Sequence, residues 1–320
     1  MKALVFTGPS RVEMRDVDEP TLADGDVLVH VRAVGICGSE IHGVQKPGFR
    51  VPPLIMGHEF AGTTAEGVDV IVNPILSCGR CDLCALGRTQ VCRERRIIGI
   101  HRPGAFAERV AVPRSALHQR PEGVSWEAAA VVEPAATAVH AWSLAVAPNG
   151  ARVGIIGAGT IGLACLQVAL GRGAGTIDLA DRSPVRLDVG ARLGVSGTGA
   201  ELTGEYDVIF DAVGSAATHG QSLARLRPRG TAVWLGLAEQ ASDFDAMDLV
   251  RTEKRVVGSF AYTNSEFAEA AQLVRDWDLG WTATYPLLEG ADVFTALMNG
   301  GMEPIKALLL PGSVETEGSR

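Results

Sequence analysis

Cys78, Cys81, Cys84 and Cys92 stand in the pattern C-x2-C-x2-C-x7-C. If the four thiols meet, the segment that carries them must curl around a single point. Four thiolates so close in sequence suit one tetrahedral Zn²⁺ with no open position, which is a structural site. The competing reading is a disulfide cluster. No export signal opens the sequence, and four of its 6 cysteines sit in this one loop. A metal loop in a reducing cytoplasm is therefore expected.

With 320 residues the chain has room for two domains, each with its own core. Apolar residues make up 47%, which excludes a disordered chain. A formal net charge of −8 argues against nucleic acid or an anionic membrane as a main partner. No apolar stretch is long enough to span a bilayer. The final residues, Ser313 to Arg320, are polar and expected to fray.

The first third reads as β structure. Met1 to Phe6 is a short apolar run before Gly8-Pro9. Val27 to Val34 is β-branched and set off by Gly25 and Gly35, and Ala105 to Val112 alternates between Pro103-Gly104 and Pro113. From Trp126 the texture changes. Ala128 to Ala147 is alanine-rich, which predicts a helix. Strands and helices then alternate: strands at Arg152 to Ile156, Thr176 to Ala180, Tyr206 to Ala212, Ala232 to Leu237 and Val256 to Phe260, with helices from Gly162 and Pro184. That alternation predicts a parallel sheet covered by helices. A helix over Glu266 to Asp276 and a strand over Ile305 to Leu310 close the chain.

Gly157-Ala158-Gly159-Thr160-Ile161-Gly162 follows the first of these strands and opens a helix. In that context the glycines allow a tight turn, close approach of the backbone to a pyrophosphate, and close packing of helix on strand. The helix start offers free N–H groups to the phosphates. Asp181 ends the next strand about 20 residues on, the spacing of a carboxylate that binds the adenosine ribose and repels a 2′-phosphate. NAD is favoured over NADP; Arg182, directly after Asp181, is the competing detail.

Cys37 and His58 lie too far apart for one helix face, and each alone would more often be a core residue. Both follow turns, in Gly35-Ile36-Cys37-Gly38 and Gly57-His58-Glu59. Glu133, in Val132-Glu133-Pro134, is available as a third ligand. Three protein ligands and an open position make a catalytic zinc site.

Taken together, these motifs resemble the zinc-dependent medium-chain dehydrogenase/reductase superfamily, which contains alcohol, sorbitol and threonine dehydrogenases. The resemblance spans nearly the whole chain. It implies a GroES-like β domain with the structural zinc loop over 1–135, a Rossmann domain over 136–260, and a return to the first domain over 261–320. It implies two zinc ions per chain, NAD, and hydride transfer between the cofactor and an alcohol. Cys37 and His58 resemble catalytic-zinc ligands, and Glu133 falls where the sorbitol dehydrogenase branch places a glutamate. Glu59 resembles a neighbouring carboxylate that approaches the metal. Ser39 resembles the hydroxyl that takes the substrate proton, and His42 the outer member of that relay. Lys306 resembles a basic residue near the cofactor pyrophosphate; Val213 and Phe260 fall at the nicotinamide pocket. A homodimer or homotetramer is implied as well.

Two departures stand out. Between Gly62 and Asn73 the family has a longer strand-turn-strand than this chain. Glu40 stands where an aspartate is usual, in reach of a metal-bound imidazole. Glu133 in place of a thiolate makes the metal site harder and more oxygen-rich, and leans toward a polyol or other polyhydroxy substrate. Two other readings compete: a zinc-free NADPH quinone or enoyl reductase, which would leave the cysteines unexplained, and a non-catalytic dinucleotide or metal sensor. His101, His118, His140 and His219 have no ligand company in the sequence.

Overall fold

The computed structural model describes residues 1–46, 50–300 and 304–312. The Ser313 to Arg320 tail therefore lies outside the described residues. The chain forms two compact units: Met1–Glu133 with Ala270–Arg320, and Pro134–Glu269. Both crossings fall inside helices, Trp126–Ala145 and Asn264–Leu273. The return to the first unit thus comes at Ala270 rather than at 261. Among the described residues no helix is long and apolar enough to cross a membrane.

The first unit is mostly β. Its largest sheet is seven-stranded and centres on the strand Asp26–Gly35, which pairs antiparallel with Glu59–Thr64, Arg109–Pro113 and Lys306–Leu310. Alternation along Asp26–Gly35 turns Val27, Val29 and Val31 inward, where Leu4, Phe60, Phe106, Phe294 and Leu309 complete the core. The short segment after Gly62 makes a complete hairpin: Glu59–Thr64 pairs with Asp69–Val72 through a tight turn with Gly67 in the left-handed region at φ 83°. The expected strand over Ala105 to Val112 starts only at Arg109. The residues before it do other work. Gly104, Ala105 and Phe106 donate their N–H groups to Ile55, Gly57 and Met56, bracing the turn that precedes His58.

The second unit is a six-stranded parallel sheet. Its order runs Gly197–Gly199, Thr176–Ala180, Arg152–Ile156, Tyr206–Asp211, Leu226–Trp234, Arg255–Gly258. The order reverses beside Arg152–Ile156, and ligands of such sheets sit outside the strand ends at that point. The central strands read as unbroken apolar runs because helices cover both faces. Arg255–Gly258 is the edge. Ile209, Leu223, Leu226 and Tyr206 anchor one side of the core.

Candidate active site

Cys37 caps the N-terminus of the helix Gly38–Gln45; His58 immediately precedes the strand Glu59–Thr64, and Glu59 starts it. Ligand atoms of Cys37, His58 and Glu59 all lie within 4.8 Å of one another. Three donors around one zinc at about 2.0–2.3 Å fit that spread. Glu40 holds the cluster in place. Its carboxylate accepts the N–H of Cys37 at 3.0 Å and of Gly57 at 2.8 Å, and His58 Nδ1 lies 3.0 Å from the same oxygen that takes Gly57. That contact fixes the tautomer and frees Nε2 as a metal donor. Burial alone would lower the His58 pKa, but the charges of Glu40 and Cys37 outweigh it and raise it well above the ordinary value. The longer arm of glutamate thus serves the role expected for an aspartate.

Glu133 does not join this cluster. It stands, partly buried, on the helix Trp126–Ala145, so the ligand set that the structure assembles is Cys37, His58 and Glu59. Lys306 also departs from expectation. Its ammonium is buried, ion-paired with Glu59 and donating to the Ile36 carbonyl at 3.0 Å. The register explains the meeting. Gly35 sits between Glu59 on one side and Leu308 on the other, and Lys306 projects on the face of Leu308. A Cβ on Gly35 would strike both the Glu59 carboxylate and the Lys306 side chain. Lys306 thus neutralises a buried carboxylate instead of meeting a pyrophosphate. Desolvation would lower its pKa, yet Glu59 raises it.

Ser39 is exposed on the first turn after Cys37, and His42 is exposed one turn further, on the same side of that helix. Arg50, which the sequence did not single out, is buried against Ser39. It donates to the Ser39 carbonyl at 2.8 Å and comes within 3.5 Å of the Ser39 hydroxyl. No spacing rule ties residue 50 to residue 39, so no sequence signal pointed to it.

The four-cysteine loop converges. Cys78 and Cys84 sulfurs are 4.0 Å apart, Cys81 and Cys92 sulfurs 3.9 Å, and all four thiols are free. The edge of a ZnS₄ tetrahedron is about 3.8 Å, given Zn–S of about 2.3 Å. Backbone N–H groups of Cys84 and Arg93 pull the Cys81 thiol down to about 6, so it deprotonates readily for a metal.

In the second unit, Gly157 turns at φ 97°, and a Cβ on Gly162 would strike the Gly157 carbonyl. Gly159 differs: a Cβ there meets only Arg186 Nη1, at 4.0 Å, and otherwise open space. That opening, at the start of the helix Thr160–Gly171, is where a pyrophosphate fits. Ile161 follows Thr160 in its first turn. Asp181 accepts the N–H of Ala158 at 2.7 Å and of Ser183 at 2.8 Å, tying the acidic residue to the glycine loop. Arg182 is exposed beside it. Val213 and Phe260 are exposed just past the ends of Tyr206–Asp211 and Arg255–Gly258. Leu237, expected as the last residue of a strand over Ala232 to Leu237, instead lies past the end of the strand between them, Leu226–Trp234, and is 84% exposed.

Residues 23–122 match the alcohol dehydrogenase GroES-like domain, and residues 160–276 match the zinc-binding dehydrogenase domain. The chain is 28% identical to L-galactonate-5-dehydrogenase of Escherichia coli (strain K12), over 97% of this chain and 98% of that protein. It is 30% identical to sorbitol dehydrogenase of Halalkalibacterium halodurans, over 97% and 99%. A zinc-binding dehydrogenase from Sinorhizobium meliloti 1021, solved with NADP bound, superposes with a TM-score of 0.88 at 30% identity, covering 97% of this chain and 99% of its own. The chain belongs to the zinc-dependent medium-chain dehydrogenase/reductase superfamily of oxidoreductases acting on CH–OH groups, within its polyol dehydrogenase branch.

Proposed function

We propose that this protein interconverts a secondary alcohol and a ketone on a polyhydroxy substrate such as a polyol or cyclitol, with NAD and two zinc ions per chain. The observation that carries the reading is the Cys37–His58–Glu59 cluster, with Glu40 orienting His58. When bound, zinc supplies Lewis-acid polarisation of an alcohol oxygen, and the nicotinamide supplies the hydride acceptor. The chain's own residues do the rest. Cys37, His58 and Glu59 hold the metal, and Lys306 keeps the Glu59 charge neutralised. Ser39 accepts the substrate proton, Arg50 fixes the turn that presents it, and His42 passes the proton outward. Glu59 makes the ligand set oxygen-rich, which favours a substrate with neighbouring hydroxyls. Glu133 remains a ligand only if it moves toward the cluster, and zinc content of Glu133→Gln and Glu59→Gln separates the two roles.

Asp181 supports NAD. Arg182 and Arg186 favour a 2′-phosphate and support the NADP alternative. The open edge Arg255–Gly258 suits pairing of sheets in a homodimer or homotetramer, which light scattering would measure. The thiol-rich loop fits the cytoplasm.

The test is reduced-cofactor formation with zinc-loaded protein, using NAD⁺ and NADP⁺ against sugar alcohols, cyclitols, threonine and simple alcohols. Saturable turnover on polyols or cyclitols with NAD⁺ is expected. Turnover on simple alcohols alone would remove the polyol assignment. Turnover of quinones or enones by zinc-free protein would favour the reductase reading. Zinc and cofactor binding without any turnover would favour the sensor.

A further inference from the structure

The nucleotide-binding unit contains a buried polar pair that the proposed reaction does not use. Asp211 ends its strand with no solvent exposure. Its Oδ1 accepts the N–H of Val213 at 2.9 Å and of Gly214 at 3.0 Å, and so shapes the loop that carries Val213. Its Oδ2 has no hydrogen-bond partner. His219 Nε2, also buried and unpartnered, lies 3.9 Å from that oxygen. The other ring nitrogen, Nδ1, meets the Ser242 hydroxyl. A hydroxyl donating to Nδ1 leaves the ring proton on Nε2, aimed at the carboxylate. The opposite tautomer would set a lone pair against a buried anion.

The imidazole is also clamped from the side. Trp234 stacks on it, with centroids 3.8 Å apart and planes 22° from parallel, and Phe244 meets the Trp234 ring edge-on at 6.3 Å. Ser242 and Phe244 belong to the segment that follows Leu226–Trp234 and carries Leu237. That segment runs along the Val213 loop. Ala238 N–H reaches the Val213 carbonyl at 3.3 Å and Glu239 N–H the Gly214 carbonyl at 3.0 Å. The approach is close enough that a Cβ on Gly214 or Gly236 would collide with the facing backbone. His219 therefore sits between the two loops: Nδ1 meets Ser242, and Nε2 faces the Asp211 carboxylate across 3.9 Å.

We propose that His219 is a positioning residue for the nicotinamide. It locks the Val213 loop to the Leu237 segment, so the apolar ledge for the ring exists before the cofactor arrives. The inference rests on the dinucleotide reading of this unit. Preorganisation matters here because a loop ordered only on binding lowers affinity by the fraction of time it is disordered. The adenosine and pyrophosphate end of the cofactor, at Gly159 and Asp181, lies on other loops and is untouched by this lock.

That separation supplies the test. NADH and ADP-ribose, the same dinucleotide without its nicotinamide, are titrated by calorimetry into the full chain, with NADPH and its matching fragment in parallel. His219→Phe keeps a ring for Trp234 and removes the Ser242 contact together with the Nε2–H that faces Asp211. The expected result is a rise of about tenfold in the Kd of NADH, with a change below about twofold for ADP-ribose. Adding Asp211→Asn removes the stranded charge while keeping an oxygen for Val213 and Gly214, and recovers part of the loss. Ser242→Ala gives the same split at smaller size, and stands in if His219→Phe does not fold. Equal losses for both ligands would make His219 a plain packing residue and overturn the proposal; so would no loss for either. A wild-type chain that binds neither ligand removes the dinucleotide reading and the proposal with it. Wild-type binding of both keeps the reading, whatever the variants do.

Discussion

Gly35 shows how much one missing side chain can decide. It stands between two strands that bring Glu59 and Lys306 together across it, and no larger residue leaves room for the pair. Breaking a buried ion pair on one side is far more damaging than removing both partners. Lys306→Met is therefore expected to destabilise the zinc-free first unit by about 3–5 kcal/mol, because Glu59 is left there as an unpaired buried anion. Glu59→Gln in the same chain is expected to recover most of that loss, at the expense of the zinc next to it. Denaturant midpoints together with zinc content check both statements. If Lys306→Met unfolds at the wild-type midpoint, the pair is not holding the site. The partners are 247 residues apart in the chain, so nothing local in the sequence pointed to the contact. Cys37 and His58 were legible because their flanking glycines mark turns. Lys306 was legible as a residue of interest, but its partner was not.

At the scale of elements, the parallel strands were readable because they are buried on both faces and show as short apolar runs between helical stretches. Thr176–Ala180 falls at its expected bounds and Pro184–Leu193 at its expected start. The strand Thr282–Pro286 escaped notice because it lies at an edge without clear alternation. The helix Gly290–Met298 escaped because no side chain caps its start. From the sequence, His140 is expected as a helix residue facing a domain interface, without metal-ligand company. It in fact ties the helix Trp126–Ala145 to Glu266 at the start of Asn264–Leu273, and Glu266 also accepts from Thr263 and Ser143. Desolvation would raise the Glu266 pKa, but these hydrogen bonds, that of His140 foremost, hold it down at about 2. A carboxyl whose folded pKa lies below its unfolded value stabilises the fold above the unfolded value, near 4.5. That contribution fades as pH falls from there toward about 2. Glu266→Gln is expected to lower stability at neutral pH by about 1–2 kcal/mol and to flatten the acid limb of the stability curve. Thermal midpoints of both proteins between pH 2 and 7 test this; parallel curves would show that the tie contributes nothing.

For the whole molecule, two units with separate ligands call for separate responses. Zinc binds only folded ligand geometry, so its removal destabilises the first unit. ADP-ribose at 100 times its Kd is expected to stabilise the second by about 2.7 kcal/mol. Hydrogen exchange resolved along the chain can follow both. A chelator should deprotect Met1–Glu133 and Ala270–Leu310 first, whereas the nucleotide should protect Pro134–Glu269. Uniform responses would mean that the units open as one. The resemblance sets the first boundary at 135, two residues past Glu133, and the second at 260, nine residues short of Glu269; no linker marks either, because each crossing runs through a continuous helix. The first unit is also split in the chain, since its central sheet takes a strand, Lys306–Leu310, from the far end. On the ribosome this sets an order of events. The nucleotide-binding unit is contiguous and can close while synthesis continues. The metal site made early must wait, with Glu59 lacking its counter-charge, until Lys306, 247 residues further on, has been made.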